Sequence, residues 1–388
     1  MAADGVEAGV ALETVDSISA ISSEDWNRLA TRKPACGTPF IQHAFLSALE
    51  KSGSVGPGTG WTPSHIVLRS NSRIIAVAPA YLKDHSFGEY VFDHGWAEAY
   101  ARAGGRYYPK LLSAVPLTPV TGPRLLAEDD DGKKLLARAL VTAATRLRLS
   151  SAHVTFHQNE GEHLGETFLE RTGLQYHWFN RGYRNYDDFL GALSSRKRKA
   201  LRRERREAGQ GLTFRRVAGD DIKERHWDVF WRFYQDTGSR KWGHPYLTRS
   251  FFTLLGATAP ESVLLIFAED AGRPVAGALN LIGEDALFGR YWGRIEERPF
   301  LHFEVCYHQA IDFAIERGLQ RVEAGAQGDH KLARGYEPVL TKSAHWIADP
   351  GFRDAVSRFL TAERRQIAAE LAAISDETPF KRDGPSPD

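Results

Sequence analysis

Short apolar runs recur along the chain, separated by Gly/Pro turns and by segments with helical spacing. HIVLRS (65–70), RIIAVAPAYL (73–82), a run around residues 90–92 and SAHVTFHQ (151–158) have the composition and alternation of strands. Leu135, Leu136, Ala139, Leu140, Ala143 and Leu147 follow helical spacing, with Asp130 and Asp131 ahead of them and bases toward the end, as the helix dipole favours. A second helix is predicted over 164–171, stopped by Gly173, and a strand over 174–180. The order then repeats. Strands are predicted over 262–270, 274–283 and 286–293, a helix over 303–317 closed by Gly318, strands over 320–326 and 342–348, and an amphipathic helix over 352–374. The repeat is one of topology, not of residues. It predicts an α/β (α+β) fold with mixed sheets flanked by helices.

A chain of 388 residues exceeds the ~250–300 that one core usually holds, so two domains are expected. The predicted boundaries are a loosely ordered 1–20, a first domain over 21–190, a basic connecting helix over 191–211, a second domain over 212–375 and a disordered tail over 376–388. With 42% hydrophobic and 26% charged residues the chain can bury a real core. Its formal charge of +1 leaves any preference for a polyanion to local clustering. Such a cluster exists: Arg196, Lys197, Arg198, Lys199, Arg202, Arg203, Arg205 and Arg206 crowd one predicted helix, with Glu204 among them. It suits tRNA or anionic phospholipid, or is a solvated connector. Cys36 and Cys306 stand alone, and no histidine pair has a persuasive ligand spacing, so neither a disulfide framework nor a metal site is expected. The N-terminus is acidic where a signal peptide is basic, and no apolar run approaches ~20 residues. A cytoplasmic protein is expected, with binding to the inner membrane surface left open.

Seven segments, in order, resemble the FemAB-like family labelled peptidoglycan biosynthesis/recognition: FDHGWAEAYARAGGRYYPKL, PLTPVTGPRLL, LSSRKRKALRRERRE, RKWGHPYL, GRYWG, LHFEVCYHQ and GAQGDHKLARGY. The resemblance spans about Pro39 to Ile347. It implies a tandem GNAT (acyl-CoA N-acyltransferase) fold, related to ligases that add amino acids from aminoacyl-tRNA to cell-wall precursors. Some relatives resemble bacterial ceramide synthases, which join a fatty acyl thioester to the amine of a sphingoid base. Both reactions form an amide. The leading expectation is transfer from acyl-CoA or an acyl-carrier thioester, as co-substrate, to a lipid-like amine, with no permanently bound cofactor. The alternatives are aminoacyl transfer from tRNA and a non-catalytic recognition protein.

In GNAT folds the carrier lies where two parallel strands part, its phosphates on the strand-to-helix turn. In the first half that turn contains Gly122, Pro123 and Arg124, which are expected to bind the donor; a rigid surface loop is the bland alternative. In the second half it reads Glu296-Glu297-Arg298-Pro299-Phe300, whose acids would repel pyrophosphate. His302 and Glu304 then become acid/base candidates, although Glu304 could be a first-turn carboxylate held by the helix dipole. GAQGDHKLARGY follows a strand and gathers Gln327, Asp329, His330, Lys331 and Arg334, a donor set suited to an anion or oxyanion, against a solvated glycine turn as the alternative. His330 and Lys331 join the catalytic candidates. Gln327 and Arg334, with Trp242, Tyr246, Tyr291 and Trp292, are assigned to the substrate wall, where core packing is the competing role for the aromatics. Asp93, His94 and Trp96 divide the same way.

Overall fold

The computed structural model describes residues 9–31, 37–241, 245–325, 328–375 and 379–381. They form two compact units, each discontinuous in sequence: unit 1 lies within Met1–Gly173, Tyr246–Thr258 and Leu340–Ile367, and unit 2 within Leu174–Pro245, Ala259–Val339 and Ala368–Asp388. The first boundary falls at Gly173 and not near residue 190, and the basic helix belongs to unit 2, where Leu201, Glu204 and Ala208 are buried.

In unit 1, β1 (Val10–Val15), β2 (Trp61–Pro63), β3 (His65–Ser70), β4 (Arg73–Ala78), β5 (Ala80–Lys83), β6 (Lys110–Ser113), β7 (Leu126–Ala127) and β8 (Ser151–Val154) make two sheets. One has the order β1-β3-β4-β7; in the other β2, β5, β6 and β8 are neighbours in that order, and residues 344–347 pair beyond β8. The expected strand over 73–82 breaks at Pro79, which has no N–H for a ladder, and its halves enter different sheets. The helix α1 (Asp130–Arg146) packs Leu136, Ala139, Leu140 and Ala143 against Ile66, Leu68, Leu111 and Val154. β1 pairs with β3 along its whole length, so the expectation of loose order over 1–20 fails from Val10 onward. No strand forms at 90–92.

Unit 2 begins within β9 (Leu169–Phe179), which takes the last three residues of the helix expected over 164–171; an α-helical turn covers Gly161–Leu164 and a 3-10 turn Gly165–Thr167. The helix α2 (Ser195–Ala208) follows. Then β10 (Thr213–Ala218), β11 (Val263–Asp270), β12 (Arg273–Ile282) and β13 (Ala286–Arg294) form an antiparallel meander. β14 (Arg321–Glu323) runs parallel to β13 and antiparallel to β9. β15 (Glu337–Ile347) starts in unit 2 and ends in unit 1. One sheet face buries Trp178, Leu264, Ile266, Leu287 and Val322 against the helix α3 (residues 301–316) through Leu301, Val305 and Ile311. The helix Glu224–Lys241 approaches so closely that a Cβ on Gly293 would lie 1.9 Å from the Phe233 carbonyl oxygen. Of the tail expected to be disordered, Pro379 is buried, and its carbonyl accepts from Ser194 N (3.0 Å).

Candidate active site

In unit 2 two parallel strands part. β13 and β14 pair only at Ala286↔Arg321, Leu287↔Val322 and Phe288↔Glu323, after which β13 runs on to Arg294. Across the sheet Leu279 faces Tyr291 and Asn280 faces Gly289, which leaves Arg290 as an extra residue on β13. A bulge of this kind bends a strand and is common beside active sites. It turns β13 just where its ladder to β14 ends.

The fork collects several expected site residues. His302 lies 4.4 Å from the Trp292 ring and 6.3 Å from His330, between ring centroids. The Arg334 guanidinium stacks on Phe303 (3.3 Å), and the Tyr307 hydroxyl lies 2.8 Å from His330 Nε2. Burial raises the Tyr307 pKa, so this phenol stays protonated. The turn Glu304–His308 is π-helical, an expanded geometry frequent at functional sites. Lys331 is fully buried, with Nζ donating to the Gly325 carbonyl just past β14 (2.6 Å), and burial lowers its pKa to about 8. No carboxylate bonds it among the described residues.

Other expectations separate. Glu304 is buried and receives both Arg205 (3.1 and 3.2 Å) and Gln309 Nε2 (2.8 Å), so its carboxylate is committed to the fold and not placed as a base. Arg334 likewise donates two hydrogen bonds to the Glu204 carboxylate (2.8 and 2.6 Å), so it braces α2 while stacking on Phe303. Tyr291 points to the opposite sheet face from Trp292, against Tyr234 (5.2 Å), as neighbouring strand residues must. Tyr246 belongs to unit 1, and Trp242 and Gln327 lie outside the described residues, as does Cys36. The acids of the 296–300 turn do not stand alone: Glu296 pairs with Arg273 and Arg298, and Glu297 with Arg294. Sequence reading missed Tyr307, Phe303 and Asn280; only the density of aromatics in LHFEVCYHQ hinted at the first two.

The donor site expected in unit 1 is not formed by Arg124. Its side chain is buried, and it donates to the carbonyls of Thr155 (3.0 Å), Pro123 (3.0 Å) and Val120 (2.7 Å), leaving its charge no route to a phosphate. Gly122 allows close approach to Thr38 and Arg124 within the protein, and Pro123 lines a cleft of about 480 Å³ with Glu128, Asp129, Asp130 and Glu160. Lys133 and His163 also line it but both pair with Asp130, which leaves the acids in excess and unfavourable to a phosphate. Burial pushes Glu160 up to about 7, against the backbone N–H bonds from Leu125 and Arg124. Asp93 is buried, bound by Tyr107 (2.7 Å) and Lys110 (2.5 Å); Trp96 packs on His345 (4.9 Å), and His94 is exposed.

Arg196, Lys199, Arg202, Arg203 and Arg206 are all exposed on α2, and at 100° per residue they share an arc of about 120°. Leu201, Glu204 and Ala208 occupy the buried side. Among the described residues no group of His, Cys, Asp or Glu is arranged to hold a metal ion, and no helix is long and apolar enough to cross a membrane.

The FemAB-like family, described as peptidoglycan biosynthesis/recognition, matches residues 17–382. This chain belongs to that family. Among solved structures it is similar to FemX, with 13% identity over 87% of this chain and 98% of that one (TM-score 0.51). It is also similar to the C-terminal domain of a putative lysylphosphatidylglycerol synthetase from Agrobacterium fabrum, with 10% identity over 87% and 95% (TM-score 0.53). At such identities these likenesses establish the fold alone. A comparison with proteins of curated function finds no match.

Proposed function

We propose that this FemAB-like acyltransferase works in the fork of unit 2, moving an aminoacyl group from a carrier ester to an amine. The observation that carries the choice of carrier is the fate of the two strand-to-helix turns. In unit 1 the arginine is consumed and the cleft is acidic; in unit 2 the bases of the turn are engaged by its own acids. Neither turn offers coenzyme A an evident phosphate receptor, whereas the exposed basic arc of α2 suits a longer polyanion such as tRNA. This reverses the order in which the sequence ranks the two donors. Lys331, cationic below about pH 8, supplies the positive charge for the oxyanion. The aromatic group of Trp292, His302, Phe303 and Tyr307 walls the acyl group.

The acceptor is an amine on a cell-wall precursor or a lipid. The lipid option draws support from Ile295 (51% exposed) and Phe300 (36%) on the β13–α3 turn, apolar side chains left in water. With the basic arc they would suit an anionic membrane surface.

Amide formation assayed with aminoacyl-tRNA and with long-chain acyl-CoA, each against a sphingoid base and a peptidoglycan precursor, tests the reading. Ribonuclease should abolish transfer. Ribonuclease-insensitive transfer from acyl-CoA would replace it with the ceramide-synthase-like reaction, and no transfer from either donor would leave a recognition protein.

A further inference from the structure

At the root of the fork Asn280 is fully buried, and among the described residues neither its Nδ2 nor its Oδ1 has a partner. Its position is set by the bulge, which places it opposite Gly289, the first β13 residue beyond the ladder to β14. A Cβ on Gly289 would lie 3.4 Å from Asn280 Oδ1, 3.5 Å from the Glu323 carbonyl oxygen and 3.6 Å from Ala324 Cα. The amide therefore borders the point where β14 leaves β13. Among the described residues Gly289 has no ladder partner on β14, and it carries no side chain between Asn280 and the β14 backbone.

A buried amide with four unused hydrogen-bonding positions is costly, and an apolar residue of the same size would remove the cost. The surrounding strand positions are apolar: Ala278, Leu279, Leu281 and Leu287 are all buried. Asparagine is also a poor strand former. Local structure gives no reason for it, whereas a ligand with a carbonyl group does.

We propose that Asn280 is a catalytic residue that receives the acyl carbonyl, donating from Nδ2 to its oxygen; this rests on the assignment of acyl transfer to the unit 2 fork. In the reaction the acceptor nitrogen bonds the carbonyl carbon while the bond from that carbon to the carrier oxygen breaks. The proton lost by the amine ends on the carrier oxygen, so amide and free hydroxyl carrier are the products. The carbonyl oxygen gains negative charge only in the tetrahedral state, where a preorganised N–H donor is worth most. With a thioester carrier the leaving atom is sulfur and the role of Asn280 is unchanged.

The test uses the full chain and two variants. Asn280→Leu keeps the branched shape of the side chain and removes the amide; it should lower kcat by about 100-fold or more, leave the carrier KM within about threefold, and raise Tm. A merely structural amide would instead lower Tm on removal. Asn280→Asp should transfer only while its carboxyl is protonated, so its rate should fall as pH rises, on a limb additional to the wild-type decline above about pH 8. Wild-type transfer with Asn280→Leu equally active overturns the role of Asn280 alone. A wild type that neither transfers nor binds an amide-linked aminoacyl-adenosine overturns the fork assignment and this proposal together.

Discussion

The two units handle the same piece of topology in opposite ways. In unit 1 the parallel pair β6–β8 is prolonged: Thr155 N donates to the Ser113 carbonyl (3.1 Å), and Gly122 N to that of Phe156 (3.0 Å). Arg124 then ties the 114–125 connection to the β8 exit. In unit 2 the pair β13–β14 is abandoned after Glu323, a bulge bends β13 away, and among the described residues the buried Asn280 amide there has no partner while Lys331 donates to the Gly325 carbonyl. A closed pair satisfies its backbone groups internally and builds a scaffold; an open one keeps donors for a ligand. The comparison teaches that a repeated order of strands and helices does not repeat the way a parallel pair ends.

Removing Arg124 is the largest expected blow to the closed pair. Arg124→Ala would strand carbonyls at Thr155, Pro123 and Val120, at a cost of about 3–5 kcal/mol measured by urea unfolding. The KM for the acyl donor of the protein that remains folded should not change. A raised KM with intact stability would return the donor to unit 1 and erase the contrast.

Lys331→Met tests the open pair. It should lower kcat by about 100-fold, equivalent to about 2.7 kcal/mol. It should nevertheless stabilise the protein at pH 7. The folded pKa of Lys331 is depressed from 10.5 to about 8, so its burial penalises the fold fully below about pH 8 and the penalty fades as pH rises toward 10.5. The variant should therefore gain on the order of 1–3 kcal/mol at pH 7, after loss of the bond to Gly325, and show little gain at pH 10.5. Wild-type turnover should also decline as Lys331 deprotonates above about pH 8. A variant that is less stable at pH 7 and fully active would make Lys331 a structural residue.

Glu304→Gln should have the smallest effect, about 1–3 kcal/mol of stability from weakening the bond with Arg205, with kcat of the folded enzyme retained. A large fall in kcat at unchanged stability would restore Glu304 as the base and add it to the fork.

The legible part of this protein is what depends on neighbours in sequence. Apolar runs bounded by turn signals locate β3, β11, β12 and β13 within a residue or two, and the Leu/Ala spacing locates α1, because burial of these segments is written into their own composition. Reading fails where a distant partner decides. Residues 169–171, expected at the end of a helix, extend in β9, and Gly173 fits there because a Cβ would come within 2.7 Å of Thr341 Oγ1. At the site, His302, Trp292, His330, Lys331 and Arg334 were visible as unusual residues at strand and helix ends. Arg124 and Glu304 had the same appearance, and only their buried partners disqualify them.

The sequence by itself determined the mixed α/β class, the repeated strand–helix order, the FemAB-like membership carried by seven ordered motifs, and the basic arc of α2. These follow from local periodicity, composition and charge. The tertiary structure decided that unit 1 is closed and unit 2 open, that the domains interleave along the chain, and that Asn280 lies unsatisfied at the root of the fork. Those outcomes depend on where a ladder stops and which distant group meets a charge, and such pairings leave no period in the sequence.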